Sequence, residues 1–132
     1  MFARSYSVSV VALILFLTVR TPLRASAEDL DPSFGYGGVV TSDFGVGADA
    51  AEAVALLHDG RILVVGYAEG LRDSDLLVAC YRSTGELDRS FGVGGVIRAD
   101  FGGSERGHGV TVASDGEITV VGSIAGATHS AS

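Results

Sequence analysis

Leu30-Asp31-Pro32-Ser33-Phe34-Gly35-Tyr36-Gly37-Gly38-Val39-Val40 returns 57 residues later as Leu87-Asp88-Arg89-Ser90-Phe91-Gly92-Val93-Gly94-Gly95-Val96-Ile97. The match continues through Asp43-Phe44-Gly45 and Asp100-Phe101-Gly102, with 11 identities in 16 positions. After one deleted residue the offset becomes 56, and Val54–Gly66 matches Val110–Gly122 at 7 of 13 positions. A period of this size is the signature of a propeller, solenoid or array. The copies share Gly, Phe, Val, Ile and some Asp, but differ at Thr41/Arg98, His58/Ser114, Arg61/Glu117 and Tyr67/Ser123. Shape-setting residues are kept and exposed chemistry is not, as expected of a unit stacked on copies of itself.

Each unit reads as all-β. Gly38–Phe44 is a short β-branched run between glycines, and Ala53–Leu57 and Arg61–Tyr67 are two runs joined at His58-Asp59-Gly60. The Asp-Gly pair is a hairpin signal, repeated at Asp115-Gly116. A fourth run, Asp75–Arg82, ends at the turn Ser83-Thr84-Gly85. Ile62-Leu63-Val64-Val65 and Leu76-Leu77-Val78-Ala79 are apolar at odd and even positions alike, so both faces of these strands should be covered. The expectation is about two four-stranded antiparallel propeller-blade-like sheets, the second incomplete, following an N-terminal signal helix.

The first 27 residues are set apart. Arg4 is a basic start, Val8–Val19 is an uncharged apolar stretch, and Ala25-Ser26-Ala27 offers a small-x-small cleavage site. This pattern reads as a secretory signal peptide, too short for a membrane span of about 20 apolar residues. The domains are therefore 1–27, a signal peptide; 28–86, the first β-repeat; and 87–132, the second, truncated at its C-terminus. The location expected is secreted, periplasmic or cell surface, with no membrane contact after cleavage.

The whole chain has 132 residues, nine Arg, no Lys and 16 acidic residues, for a net charge of −7. Beyond residue 27, six Arg face all 16 acids, a net of −10. Sequence-independent nucleic-acid binding, which needs a basic surface, is disfavoured by this balance. Cys80 is the only cysteine, so no intrachain disulfide forms. Its apolar neighbours make it a small buried hydrophobe.

The Leu-Asp-x-Ser-Phe-Gly-x-Gly-Gly-Val opening, the Asp-Phe-Gly step, the Asp-Gly-x-Ile hairpin with Val-Val-Gly after it, and the Ala-Cys-Tyr-x-x-x-Gly-x-Leu-Asp close together resemble the delta-60 repeat family. The resemblance runs from Leu30 to about Ala125. It implies a bacterial β-propeller-like repeat of large secreted or surface proteins, without an assigned activity. Family members carry many tandem units, whereas this chain holds one unit and most of another. A closed propeller needs about 4–8 blades. Three readings follow: a fragment of a larger protein, which is favoured; closure by several chains pairing through open sheet edges; or a two-sheet sandwich with exposed apolar faces.

Candidate chemistry is sparse. Gly35-x-Gly37-Gly38 precedes a β-branched run rather than a helix, so it reads as a turn and not a phosphate cradle. A G-x-S-x-G elbow is absent, because Gly102-Gly103-Ser104-Glu105-Arg106 fails at its last position. Glu69, Asp73 and Asp75 lie in one polar stretch and are the candidate metal ligands, for Ca²⁺, but without a full Asp-x-Asp-x-Asp-Gly ligand loop a solvated acidic loop is the favoured reading. Asp43/Asp100 and Asp59/Asp115 recur in both copies and suit side-chain to backbone turn bonds. His58, His108 and His129 have no metal-ligand spacing, and the Tyr and Phe residues suit packing better than a sugar platform. No catalytic residue and no cofactor other than Ca²⁺ is nominated. The expected function is a secreted, non-catalytic structural or binding module with a protein or glycan ligand. The alternatives are part of a propeller enzyme, or a calcium-stabilised surface module, whose site needs further blades.

Overall fold

A computed structural model of the chain describes residues 30–126. The signal peptide expected over 1–27 lies outside the described residues, as does His129. Six strands form two antiparallel sheets: β1 (Asp49–Leu56), β2 (Ile62–Glu69), β3 (Ser74–Tyr81), β4 (Val96–Ala99), β5 (Ser104–Val112) and β6 (Ile118–Ala125). The first sheet has the order β1-β2-β3-β4, and the second pairs β5 with β6. There is no helix among the described residues, hence none long and apolar enough to cross a membrane.

The hairpins form where Asp-Gly stands. Leu57 N donates to Arg61 O at 2.8 Å and Gly60 N to Leu57 O at 3.0 Å. Only Gly60 takes a positive φ, +86°, while Asp59 stays at negative φ and accepts from Arg61 N through Oδ1 at 3.1 Å. The second copy repeats the turn, with Ala113 N to Glu117 O at 2.8 Å and Asp115 Oδ1 accepting from Glu117 N at 3.1 Å.

One strand departs from expectation. Gly38–Phe44, read as the first strand of its unit, forms only the short bridge Tyr36↔Val39. Its counterpart in the second copy, Val96–Ala99, is β4 and pairs with β3 through Leu76↔Ala99, Leu77↔Arg98, Val78↔Ile97 and Ala79↔Val96. The physical reason is pairing. This run adds to the last strand of the unit before it, and no strand precedes Gly38 among the described residues. A four-stranded sheet thus takes three strands from the first copy and one from the second, so the sheet is out of phase with the sequence repeat.

Both faces of β2 and β3 are used. Leu63, Val65, Val78 and Cys80 lie on one face, almost fully buried. Val110, Val112, Ile118 and Val120 of the second sheet pack against them, with Leu57 and Phe91. On the opposite face Leu77, Ala79 and Tyr81 are also buried. The segment from Phe34 to Phe44 lies over this side and leaves a cleft. The second sheet differs, because its outer face exposes Val121, while Ile124, on the core-facing side near the end of β6, is only partly covered.

Candidate functional site

Three carboxylates meet where the two sheets join. Asp75 stands at the start of β3, Asp100 just beyond β4, and Glu105 near the start of β5. One oxygen from each lies within 4.8 Å of the other two. The residues differ sharply in exposure. Asp100 faces solvent, Asp75 is mostly covered, and Glu105 is 1% exposed.

Backbone geometry holds each of them. Asp100 Oδ1 accepts from Gly102 N at 2.8 Å, the turn bond expected from the sequence. Glu105 Oε1 accepts from Gly103 N at 3.0 Å, while Glu105 Oε2 is buried with no partner. Ser74 Oγ donates to the Glu105 carbonyl at 3.4 Å and so links β3 to β5. Arg98 Nη1 donates to Asp75 Oδ2 at 2.9 Å, and Arg98 Nη2 donates to the Phe44 carbonyl. One guanidinium therefore stands against three carboxylates.

Of the sequence candidates, Asp75 belongs to this cluster and Glu69 and Asp73 do not. Glu69 Oε2 accepts from Ala48 N at 3.0 Å, and the Asp73 carbonyl accepts from Gly70 N at 2.7 Å. Those two residues shape their own loops. Asp100 was legible only as a turn residue, and Glu105 carried no signal of its own. A signal did exist in the repeat. Asp43 and Asp49 occupy the positions of Asp100 and Glu105, but the one-residue deletion between the copies obscures the correspondence. The first copy keeps the turn bond, Gly45 N to Asp43 Oδ1 at 3.3 Å, and a buried unpartnered oxygen, Asp49 Oδ1, but Asp49 Oδ2 accepts from Phe44 N at 2.6 Å and no third carboxylate joins the pair among the described residues.

A second feature is the cleft on the outer face of the first sheet, about 450 Å³. Phe34, Val40 and Phe44 form one wall, with Val64, Leu77 and Tyr81 on the other. Its walls are largely hydrocarbon. Tyr81 Oη donates to Ser42 Oγ at 2.7 Å, which satisfies the phenol.

The remaining polar groups hold structure together. Arg61 bridges Asp59 at 2.8 Å and the nearly buried Asp88 at 2.9 Å. Hydrogen bonds from Ser90 Oγ, Arg61 and Ser90 N hold Asp88 below the usual carboxylate range. The Asp88 and Asp59 carboxylates in turn raise the Arg61 guanidinium. Cys80 is fully buried, and desolvation pushes its thiol up, away from the thiolate a nucleophile or metal ligand would need. His58 Nε2 lies 3.2 Å from the Ala113 carbonyl. His108, the extra residue of the bulge in β5, lies between Ser123 Oγ at 2.8 Å and Glu52 Oε2 at 3.3 Å. Glu52 is the extra residue of the matching bulge in β1, so the same position in the two copies meets across the sheets. Arg106 stacks over the Tyr67 ring, 4.2 Å from its centroid.

The sequence matches one protein-family model, the domain of unknown function (DUF5122) beta-propeller, over residues 58–91. That interval runs from the first hairpin turn through β2 and β3 to the turn at Asp88–Phe91, crossing the repeat boundary as the sheet does. It supports a β-propeller-like repeat. No curated protein and no solved structure matches the chain.

Proposed function

We propose that this chain is an exported, non-catalytic β-propeller-like module of the delta-60 repeat type, acting as a structural or binding unit in the periplasm, at the cell surface or outside the cell. The observation that carries this reading is the covering of both faces of the first sheet. One face is packed by β5 and β6; the other bears an apolar cleft under a loosely paired segment. In a propeller each sheet is sandwiched between two neighbours. The cleft therefore fits a blade-packing face: its walls are largely hydrocarbon, and of its polar groups Tyr81 and Ser42 bond to each other and Asp49 Oδ2 accepts from Phe44 N.

Strand exchange between the copies supports the same view. β4 joins the sheet of the preceding unit, so successive units are tied by shared strands. By the same rule Val39–Ser42 carries the pattern of a strand that joins the sheet of another unit, as it would on closure of a ring of such units. The domain limits proposed are 1–27 for the leader, 28–86 for the first repeat and 87–132 for the second. Export rests on the Val8–Val19 stretch and the Ala25-Ser26-Ala27 site.

The test is a fusion of the full chain to alkaline phosphatase, which is active only after export. Activity outside the cytoplasm is expected, and Leu15→Arg, which puts a charge in the middle of the apolar stretch, should abolish it. Equal activity with the charged variant would sink the export reading.

A further inference from the structure

We propose that Asp75, Asp100 and Glu105 form a Ca²⁺ site that fastens the first sheet to the second. The proposal rests on the geometry of the joint and stands whether or not the chain is exported.

Distance is the first argument. Ca²⁺ takes six to eight oxygens at about 2.3–2.6 Å, so two ligands on opposite sides of one shell are about 4.6–5.2 Å apart. Three carboxylate oxygens mutually within 4.8 Å fit on a single shell of that size. The second argument is the orphaned oxygen. Glu105 is 1% exposed and its Oε2 has no hydrogen-bond partner, although buried carboxylates are otherwise paired. A cation among the three carboxylates supplies what the protein leaves out. This is independent of the clustering, because it concerns one buried side chain and its unmet lone pairs.

Charge points the same way. Arg98 offsets one of the three negative charges through Asp75 Oδ2, leaving two for a divalent ion. The donors are all hard oxygens, with no His or Cys in the group, so zinc and copper are disfavoured. Exposed Asp100 leaves the site open to water, which completes the flexible shell of Ca²⁺. Mg²⁺ demands stricter octahedral geometry and dehydrates reluctantly. The topology gives the site a purpose. Asp75 on β3 and Asp100 just beyond β4 flank the first sheet, whereas Glu105 on β5 belongs to the second. Binding therefore requires both sheets in place. The same pair of positions in the first copy, Asp43 and Asp49, belongs to no three-carboxylate group among the described residues, so one site per chain is expected.

Thermal unfolding of the full chain in EGTA, CaCl₂ or MgCl₂ tests the site, with calorimetric titration of CaCl₂ into the same protein. Ca²⁺ should raise the Tm by on the order of 10 °C at a hundredfold excess over Kd. Asp100→Asn and Glu105→Gln should abolish that rise, and Asp115→Asn, in a solvated turn, should keep it. The titration should give one Ca²⁺ per chain. Identical midpoints in EGTA and CaCl₂, a rise retained in both site variants, an equal rise with MgCl₂, or no binding heat together with no rise would each overturn the proposal. If a site variant fails to fold, the calcium dependence of the wild-type chain still decides between these outcomes.

Discussion

At the scale of single residues, the repeated opening motif is a turn held by the same hydrogen bonds in both copies. Asp31 Oδ1 accepts from Ser33 N at 2.9 Å and from Ser33 Oγ at 2.6 Å; Asp88 does the same with Ser90 at 3.2 and 2.7 Å. Phe34 N and Phe91 N return to the carbonyls of Asp31 and Asp88, each at 3.0 Å. Gly35 and Gly92 then take φ of +56° and +53° with a carbonyl so near that a Cβ would collide with it. Gly94 also has positive φ, +64°, but open space where a Cβ would stand. The pair makes a clean comparison. Gly94→Ala should cost on the order of 1 kcal/mol through backbone strain alone. Gly92→Ala should cost distinctly more, because strain and collision with the Val96 carbonyl add. Urea denaturation of both variants measures the difference, and equal losses would count against this account. Such local chemistry was readable in the chain: the Asp-Gly turns and the Asp side-chain bonds occur where the sequence placed them.

Between elements, Asp88 has a further task. Through Arg61 it clamps the start of β2 to the turn that leads into β4. Its carboxyl is held below the ordinary Asp value of about 4, so the folded state favours the ionised form. The linked stability is present above that ordinary value and lost as pH falls through the lower folded value. Denaturant midpoints taken from about pH 7 to about pH 3 should decline, and Asp88→Asn should flatten the acid part of the decline. An unchanged acid slope in the variant would remove Asp88 as a contributor. At this scale the sequence reading was partly right. The runs at 53–57, 61–67 and 75–82 all became strands. Gly38–Phe44 did not, although its apolar pattern matches that of Val96–Ala99, because a strand needs an edge to pair with and hydrophobic pattern alone does not provide one.

Across the molecule, one core serves both sheets. Leu63 is fully buried at its centre, in a cluster with Val65, Val78 and Cys80 against which Val110, Val112, Ile118 and Val120 pack. Leu63→Ala should therefore destabilise the whole unit by about 2–5 kcal/mol in a single cooperative transition. Two separated transitions by circular dichroism would show that the sheets are independent. The same packing determines what could be known of the site. Repeat length, strand chemistry, turn positions and acidity follow from neighbours along the chain, because conformational preference and hydrophobic pattern act over a few residues. The meeting of Asp75 with Asp100 and Glu105, and the passing of β4 into the sheet of the preceding unit, follow from contacts between residues far apart along the chain. Those depend on which strand edge is free and on how one sheet lies against the next, and that choice is made only when the two copies pack together.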